Sequence, residues 1–231
     1  MNKPTIRIDI VSDIVCPWCY IGKRRLERAL DKLSDKFDFV LEYHPFELNP
    51  AMPIEGVKQQ EYLIKKFGST ERYHQLTRQV TQVAAQEDIS FHYDKQQVSP
   101  NTRNAHRLVQ LANQEGKQVE MVEALFKAYF TDGIDLSKRE NMLAVAVQVG
   151  LDREKTSKLL ASEEGLLQIA LAEQELQKLG ITGVPFYIVN NTYGISGAQP
   201  LDAFVQVFEQ IGSEVAVSAE GDACDIDGNN C

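Results

Sequence analysis

A chain of 231 residues, 43% hydrophobic and 25% charged, carries enough apolar material for a buried core, which excludes global disorder. Its net charge of −9 excludes a binder of nucleic-acid backbones, which needs clustered Lys and Arg. No run approaches the roughly 18 uncharged apolar residues of a membrane span. Five of the excess negatives (Glu214, Glu220, Asp222, Asp225 and Asp227) fall within residues 213–231, which hold no Lys or Arg, so the body is only mildly acidic. Residues 1–9 interrupt their apolar positions with charges and form no continuous export-signal core, so the expected compartment is the reducing cytosol. Four cysteines there read as redox-active or metal-binding pairs rather than a structural disulfide framework.

Residues 5–12 alternate Ile6, Ile8 and Ile10 against Thr5, Arg7 and Asp9, the period of a strand. From Cys19, Leu26, Ala29, Leu30 and Leu33 recur at helical spacing, predicting a helix from about the first cysteine to Leu33. Residues 37–46 return to strand chemistry, so the opening unit is βαβ with parallel strands. Residues 55–180 repeat near 3.6 and predict five to seven helices and no strands. Residues 185–189 and 192–196 read as a hairpin around Asn190-Asn191, and 200–211 as a last helix bearing Phe204, Val207 and Phe208. Little fixed structure is expected after Gly212. The order is βαβ, a helical block, then ββα. The expected division is 1–54 with 181–212 as one α/β domain, 55–180 as an all-helical insertion, and 213–231 as an acidic tail.

Cys16-Pro17-Trp18-Cys19 follows the first strand and opens the first helix. Two intervening residues in a helical turn bring both sulfurs within bonding reach. The helix N-terminus, with its unpaired N–H groups, favours a thiolate on Cys16. Pro17 suits the first turn because its missing N–H would have had no partner there. Cys16 is the expected exposed nucleophile, Cys19 the resolving thiol, and Trp18 shapes the turn between them. The same spacing is half of a zinc site, which would need two further ligands. Gly183-Val184-Pro185-Phe186 places a proline at the opening of a strand, an allowed position that gives up one ladder donor.

The segment Ser12-Asp13-Ile14-Val15-Cys16-Pro17-Trp18-Cys19-Tyr20-Ile21-Gly22 resembles the active-site segment of the DsbA-like thiol–disulfide oxidoreductases, in their FrnE-like branch. Residues 45–50, 101–108, 183–186 and 194–200 also resemble that branch. The resemblance implies a thioredoxin-like α/β fold with a large helical insertion. It further implies a cis Val184–Pro185 peptide facing the cysteines, with the Val184 backbone offered to a substrate. Asn101, His106, Gly197 and Gln199 are implied to border the groove, although helix capping by Asn101 and a turn at Gly197 explain the same residues. The branch lies close to the kappa-class glutathione transferases and the 2-hydroxychromene-2-carboxylate isomerases, which typically carry serine where this chain has Cys16.

The expected function is therefore thiol–disulfide exchange of the reductase or isomerase type, on a disulfide-containing protein or a small thiol conjugate. No bound cofactor or metal is expected, and glutathione or another thiol is the expected reductant. The alternatives are a glutathione-dependent transferase or isomerase, and a metal-binding or chaperone-like module. Cys224 and Cys231, six residues apart in the acidic tail, could form a second redox pair or be incidental thiols. His44 either tunes Cys16 or is a half-buried polar side chain.

Overall fold

The computed structural model describes residues 3–221, with side chains through Ser213. Strand β1 (Thr5–Ser12), helix α1 (Pro17–Leu33) and strand β2 (Asp38–Pro45) form the expected crossover, β1 and β2 pairing in parallel from Thr5↔Asp38 to Ser12↔Pro45. Strand β5 (Phe186–Val189) runs antiparallel on the other side of β1, and β6 (Tyr193–Ser196) pairs with β5, giving the sheet order β2-β1-β5-β6. The β5–β6 turn is Asn190-Asn191 with φ of 49° and 56°, the left-handed pair that matches a hairpin's twist. Helix α9 (Leu201–Gly221) closes the fold and continues about ten residues beyond the expected end at about 211, so the chain after Gly212 is helical as far as it is described.

Both faces of β1 are covered. Ile6, Ile8 and Ile10, at 0–2% exposure, join the main core with α1 and α9, while Val11 packs with Leu176 and Ile181 on the opposite face. Leu176 belongs to α8 (Leu166–Lys178), so the sheet sits between helical layers.

Between β2 and β5 lie α2 (Gln59–Phe67), α3 (Thr70–Ala85), α4 (Arg103–Gln114), α5 (Gln118–Phe126), a π-helical turn (Lys127–Asp132), α6 (Arg139–Gln148), α7 (Arg153–Ala161) and α8. The insertion is not free of strands. Val57–Lys58 (β3) pairs antiparallel with Val98–Ser99 (β4), a ribbon too short to show a period of two. β2 is an edge strand, and Gln118 at the start of α5 completes it. Its Oε1 accepts from Tyr43 N at 2.8 Å and its Nε2 donates to Tyr43 O at 2.9 Å, as a neighbouring strand would.

Aromatic stacking ties the insertion to the first helix. The Tyr20 ring lies 4.9 Å from Phe126 at 8°, and Phe91 lies 4.6 Å from Phe130. Beside them Glu123 accepts from Tyr20 Oη at 2.8 Å and Lys23 Nζ at 2.6 Å. Burial opposes ionisation of Glu123, but Lys23, Tyr20 and Arg24 outweigh it and hold the carboxyl below the ordinary glutamate range. A carboxyl so depressed contributes stability in full above the ordinary glutamate value and loses it as the pH falls through the lower folded-state value. Glu123→Gln is therefore expected to cost about 2 kcal/mol near neutrality, since Lys23 keeps Glu27 as a partner. Urea unfolding at pH 7 and pH 3 checks this: the gap between wild type and variant should shrink on acidification. No helix among the described residues is long and apolar enough to cross a membrane.

Candidate active site

The chain leaves β1 at Ser12, makes one turn and enters α1 with Cys16 as N-cap (φ −88°, ψ 112°) and Pro17 in the first turn. Cys16 N donates to Asp13 O at 3.0 Å, and Cys16 O accepts from Cys19 N at 3.1 Å, so the two cysteines bracket the first helical turn. Both are free thiols. Cys16 is 5% exposed, not open to solvent as the sequence suggests, because the β5 loop covers it: its Sγ donates to Val184 O at 3.7 Å. Cys19 is 3% exposed, and burial, together with the hydrogen bond and charge of Cys16, pushes its thiol well above the ordinary cysteine value. Trp18 projects outward, 40% exposed.

The Val184–Pro185 peptide is cis. Gly197 N donates to Pro185 O at 2.8 Å, which places the Gly197 turn against this loop. Gln199 is half-buried, and its Nε2 donates to Ser196 O at 2.7 Å.

Beneath the active-site turn lies a buried polar cluster. Asp13, fully buried, accepts from Leu48 N through Oδ2 at 2.8 Å, and its Oδ1 stands 3.5 Å from His106 Nε2. Glu47 accepts from Arg103 through Oε1, and its own N–H donates to Glu173 Oε1. Burial and the nearby Glu47 carboxylate push the Glu173 carboxyl up.

Of the four groove residues implied by the resemblance, His106 and Gly197 are therefore brought to the active-site turn and the Pro185 loop. Asn101 is not. Its Oδ1 accepts from Arg103 N at 3.0 Å and its Nδ2 donates to Met52 O, so it shapes the entry to α4, with Thr102 as the N-cap. His44 bonds Asp9 at 2.9 Å on the sheet. Cys224 and Cys231 lie outside the described residues.

Two residues that shape the active-site turn and its contact with the Pro185 loop escape sequence reasoning. Asp13 reads as an ordinary turn residue before a helix. Gly22 reads as a blemish in α1, yet a Cβ there would meet Tyr187 Oη at 2.3 Å and Pro185 Cγ at 3.3 Å. A glycine inside a strongly periodic helix was the available signal for close packing. Among the described residues, Asp9, Glu42 and His44 form a group with metal-ligand proximity, but Arg7 pairs with both carboxylates, and neither cysteine belongs to it.

Residues 7–209 match the family described as the DSBA-like thioredoxin domain. Among solved structures, the chain is similar to a probable DsbA oxidoreductase from Streptomyces coelicolor, with 31% identity, a TM-score of 0.82, and coverage of 96% of this chain and 92% of that one. A 2-hydroxychromene-2-carboxylate isomerase shares the fold at 16% identity and TM-score 0.66, over 94% of this chain and 100% of its own. The cytosolic disulfide reductase DsbM from Pseudomonas aeruginosa does so at 16% identity and TM-score 0.63, over 89% of this chain and 98% of its own.

Proposed function

The chain belongs to the DSBA-like thioredoxin domain family, and on that premise we propose that it is a thiol–disulfide oxidoreductase acting as a reductase or isomerase through Cys16 and Cys19. The observation that carries this reading is the placement of two free thiols one helical turn apart at the start of α1, with the first on the N-cap. The Cys16 thiolate attacks one sulfur of a substrate disulfide. A Cys16–substrate disulfide forms and the other substrate sulfur leaves as a thiolate. Cys19, once deprotonated, attacks Cys16 Sγ and expels the second substrate thiol, leaving a Cys16–Cys19 disulfide. Two electrons have passed to the substrate, and two equivalents of an external thiol restore the dithiol. Glutathione suits that role, and DsbM has been solved with GSH. In a reducing cytosol the pair would rest as the dithiol, which favours reduction or isomerisation over net oxidation.

The burial that holds the Cys19 thiol up has a use in this scheme, because a protonated Cys19 does not resolve the mixed disulfide prematurely. Cys19→Ala tests both this reading and its rival. With insulin and dithiothreitol, wild type should turn over while Cys19→Ala should stall as a trapped Cys16–insulin species, seen by mass spectrometry. Undiminished glutathione-dependent turnover by Cys19→Ala would instead support a transferase or isomerase in which Cys16 acts alone.

A further inference from the structure

A cavity of about 290 Å³ lies among the start of α4, the entry to α6 and the α7–α8 turn, and neither cysteine nor any residue adjacent to them lines it. Three arginines, Arg103, Arg107 and Arg139, share its wall with a single acid, the exposed Glu163. In a chain of net charge −9 this is a local reversal of sign.

Arg107 is 2% exposed and bonds only neutral acceptors. Its Nε donates to Glu164 O at 2.6 Å, its Nη1 to Asn104 Oδ1 at 2.7 Å, and its Nη2 to Leu159 O and Ser162 O. Among the described residues no carboxylate pairs with it, so its charge is buried without a counter-ion. Burial holds the guanidinium below the ordinary arginine range; Glu164 offsets part of that, and Arg139 adds to it. Arg139 is exposed in the cavity wall and makes no hydrogen bond or ion pair with any described residue. Arg103 spends Nε and Nη2 on Glu47 Oε1 at 3.0 and 2.9 Å, which leaves Nη1 of this 40% exposed side chain without a protein partner. Asn104 uses only its Oδ1, so its Nδ2 donors are unspent. The groups able to reach an occupant are therefore Arg139, Arg103 Nη1 and Asn104 Nδ2, with the Arg107 charge buried beside them.

The rest of the wall limits the occupant further. Leu136, Met142 and Leu160 are buried, Leu166 is half-buried, and Ile54 is 77% exposed, so the apolar part is aliphatic. Glu47 and Glu163 offset two of the three arginines, leaving charge for a single anion. Inorganic phosphate carries more charge than that and leaves the aliphatic wall uncovered. A carboxylate matches the flat fork of a guanidinium, and an attached alkyl chain covers the wall.

We propose that this cavity is a binding site for a short aliphatic carboxylate, its oxygens held by Arg139 and Arg103 and its chain lying along Leu136, Met142 and Leu160. The carboxylate supplies the counter-ion that Arg107 lacks. Nothing in this assignment rests on thiol chemistry.

Purified ¹⁵N-labelled full-length protein is titrated at pH 7 and low salt with hexanoate, hexanamide, acetate and inorganic phosphate, following backbone amides and arginine Nε–H signals. Hexanoate should saturate in the roughly millimolar range that small fragments reach, with shifts concentrated at Arg103, Arg107 and Arg139. Hexanamide, which keeps the chain but not the charge, should bind at least about tenfold weaker. Acetate and phosphate should also bind at least about tenfold weaker, because neither covers the aliphatic wall. Arg139→Gln, a change at an exposed side chain, should weaken hexanoate about tenfold and leave hexanamide as before, while Arg139→Lys should retain most of the affinity. No saturation by hexanoate, or saturation that Arg139→Gln leaves untouched, overturns the site. Equal affinity for hexanamide overturns recognition of the charge. Acetate or phosphate binding as tightly as hexanoate overturns the aliphatic carboxylate, and these comparisons in wild type need no variant to fold.

Discussion

A Cys16→Ser variant is expected to lose disulfide turnover by roughly a thousandfold or more, the scale on which removing a nucleophile acts in other enzymes. The two thiols are not interchangeable, for physical reasons. Cys16 is the N-cap residue of α1, at the positive end of the helix dipole, and its sulfur makes no cap hydrogen bond but faces Val184 O. Cys19 sits a turn deeper, 3% exposed, with its thiol held protonated by burial. Serine keeps the volume and the cap but offers no thiolate, so the fold should survive while attack is lost. Circular dichroism and a thermal melt close to wild type would establish that the loss is chemical. Residual turnover above about one tenth of wild type would move the nucleophile elsewhere, since even a poor thiol retains some attack. A chain ending at residue 221, which removes Cys224 and Cys231, belongs in the same insulin assay. Reduced turnover there would make the terminal pair a working partner of the first, and unchanged turnover would leave it outside the cycle.

The parts of this fold legible in the sequence are those encoded locally. The isoleucine alternation of β1, the Leu26–Leu33 stripe of α1 and the Asn190-Asn191 turn each predicted its element, and together they predicted the order βαβ, helices, ββα. What escaped depends on residues distant in sequence. The β3–β4 ribbon is two residues a side and exists because 57–58 and 98–99 meet across α2 and α3. The π turn continues an α-helical pattern without interruption, and its register shift carries no composition signal. Residues after Gly212 show only weak periodicity, which predicted little fixed structure, yet α9 runs on to Gly221. At the site, the strand–turn–helix context pointed to the cysteines, while the cis Val184–Pro185 peptide was expected only from the family resemblance. The burial of Cys16 under Val184 was not legible, because the covering loop arrives 168 residues later. The approach of His106 to Asp13 is hidden in the same way, joining α4 to the turn before α1.

Gly22→Ala is expected to destabilise the protein by about 2 kcal/mol, a drop of roughly 4–8 °C in melting temperature for a chain of this size. The sign is the informative part. Inside an exposed helix the same change would stabilise by roughly 1 kcal/mol, because glycine surrenders more backbone freedom than alanine. Here the new methyl would meet Tyr187 Oη at 2.3 Å, Pro185 Cγ at 3.3 Å and Ala198 Cα at 3.4 Å. Tyr187 cannot swing aside: it is fully buried and packs edge-on against Phe204 with centroids 5.0 Å apart. The strain must therefore be relieved by lifting α1 from β5. That movement widens the gap between the Cys16 sulfur and the Val184–Pro185 loop, so turnover should fall with stability. Tyr187→Phe removes only the colliding oxygen, which makes no hydrogen bond in the fold. In the double variant Gly22→Ala/Tyr187→Phe the helix-propensity gain should then reappear, giving a coupling of about 3 kcal/mol in a double-mutant cycle. A stabilised single variant, or a double variant no better than the single, would mean that α1 and β5 can separate at little cost, and that Gly22 does not set the distance between the cysteines and Pro185.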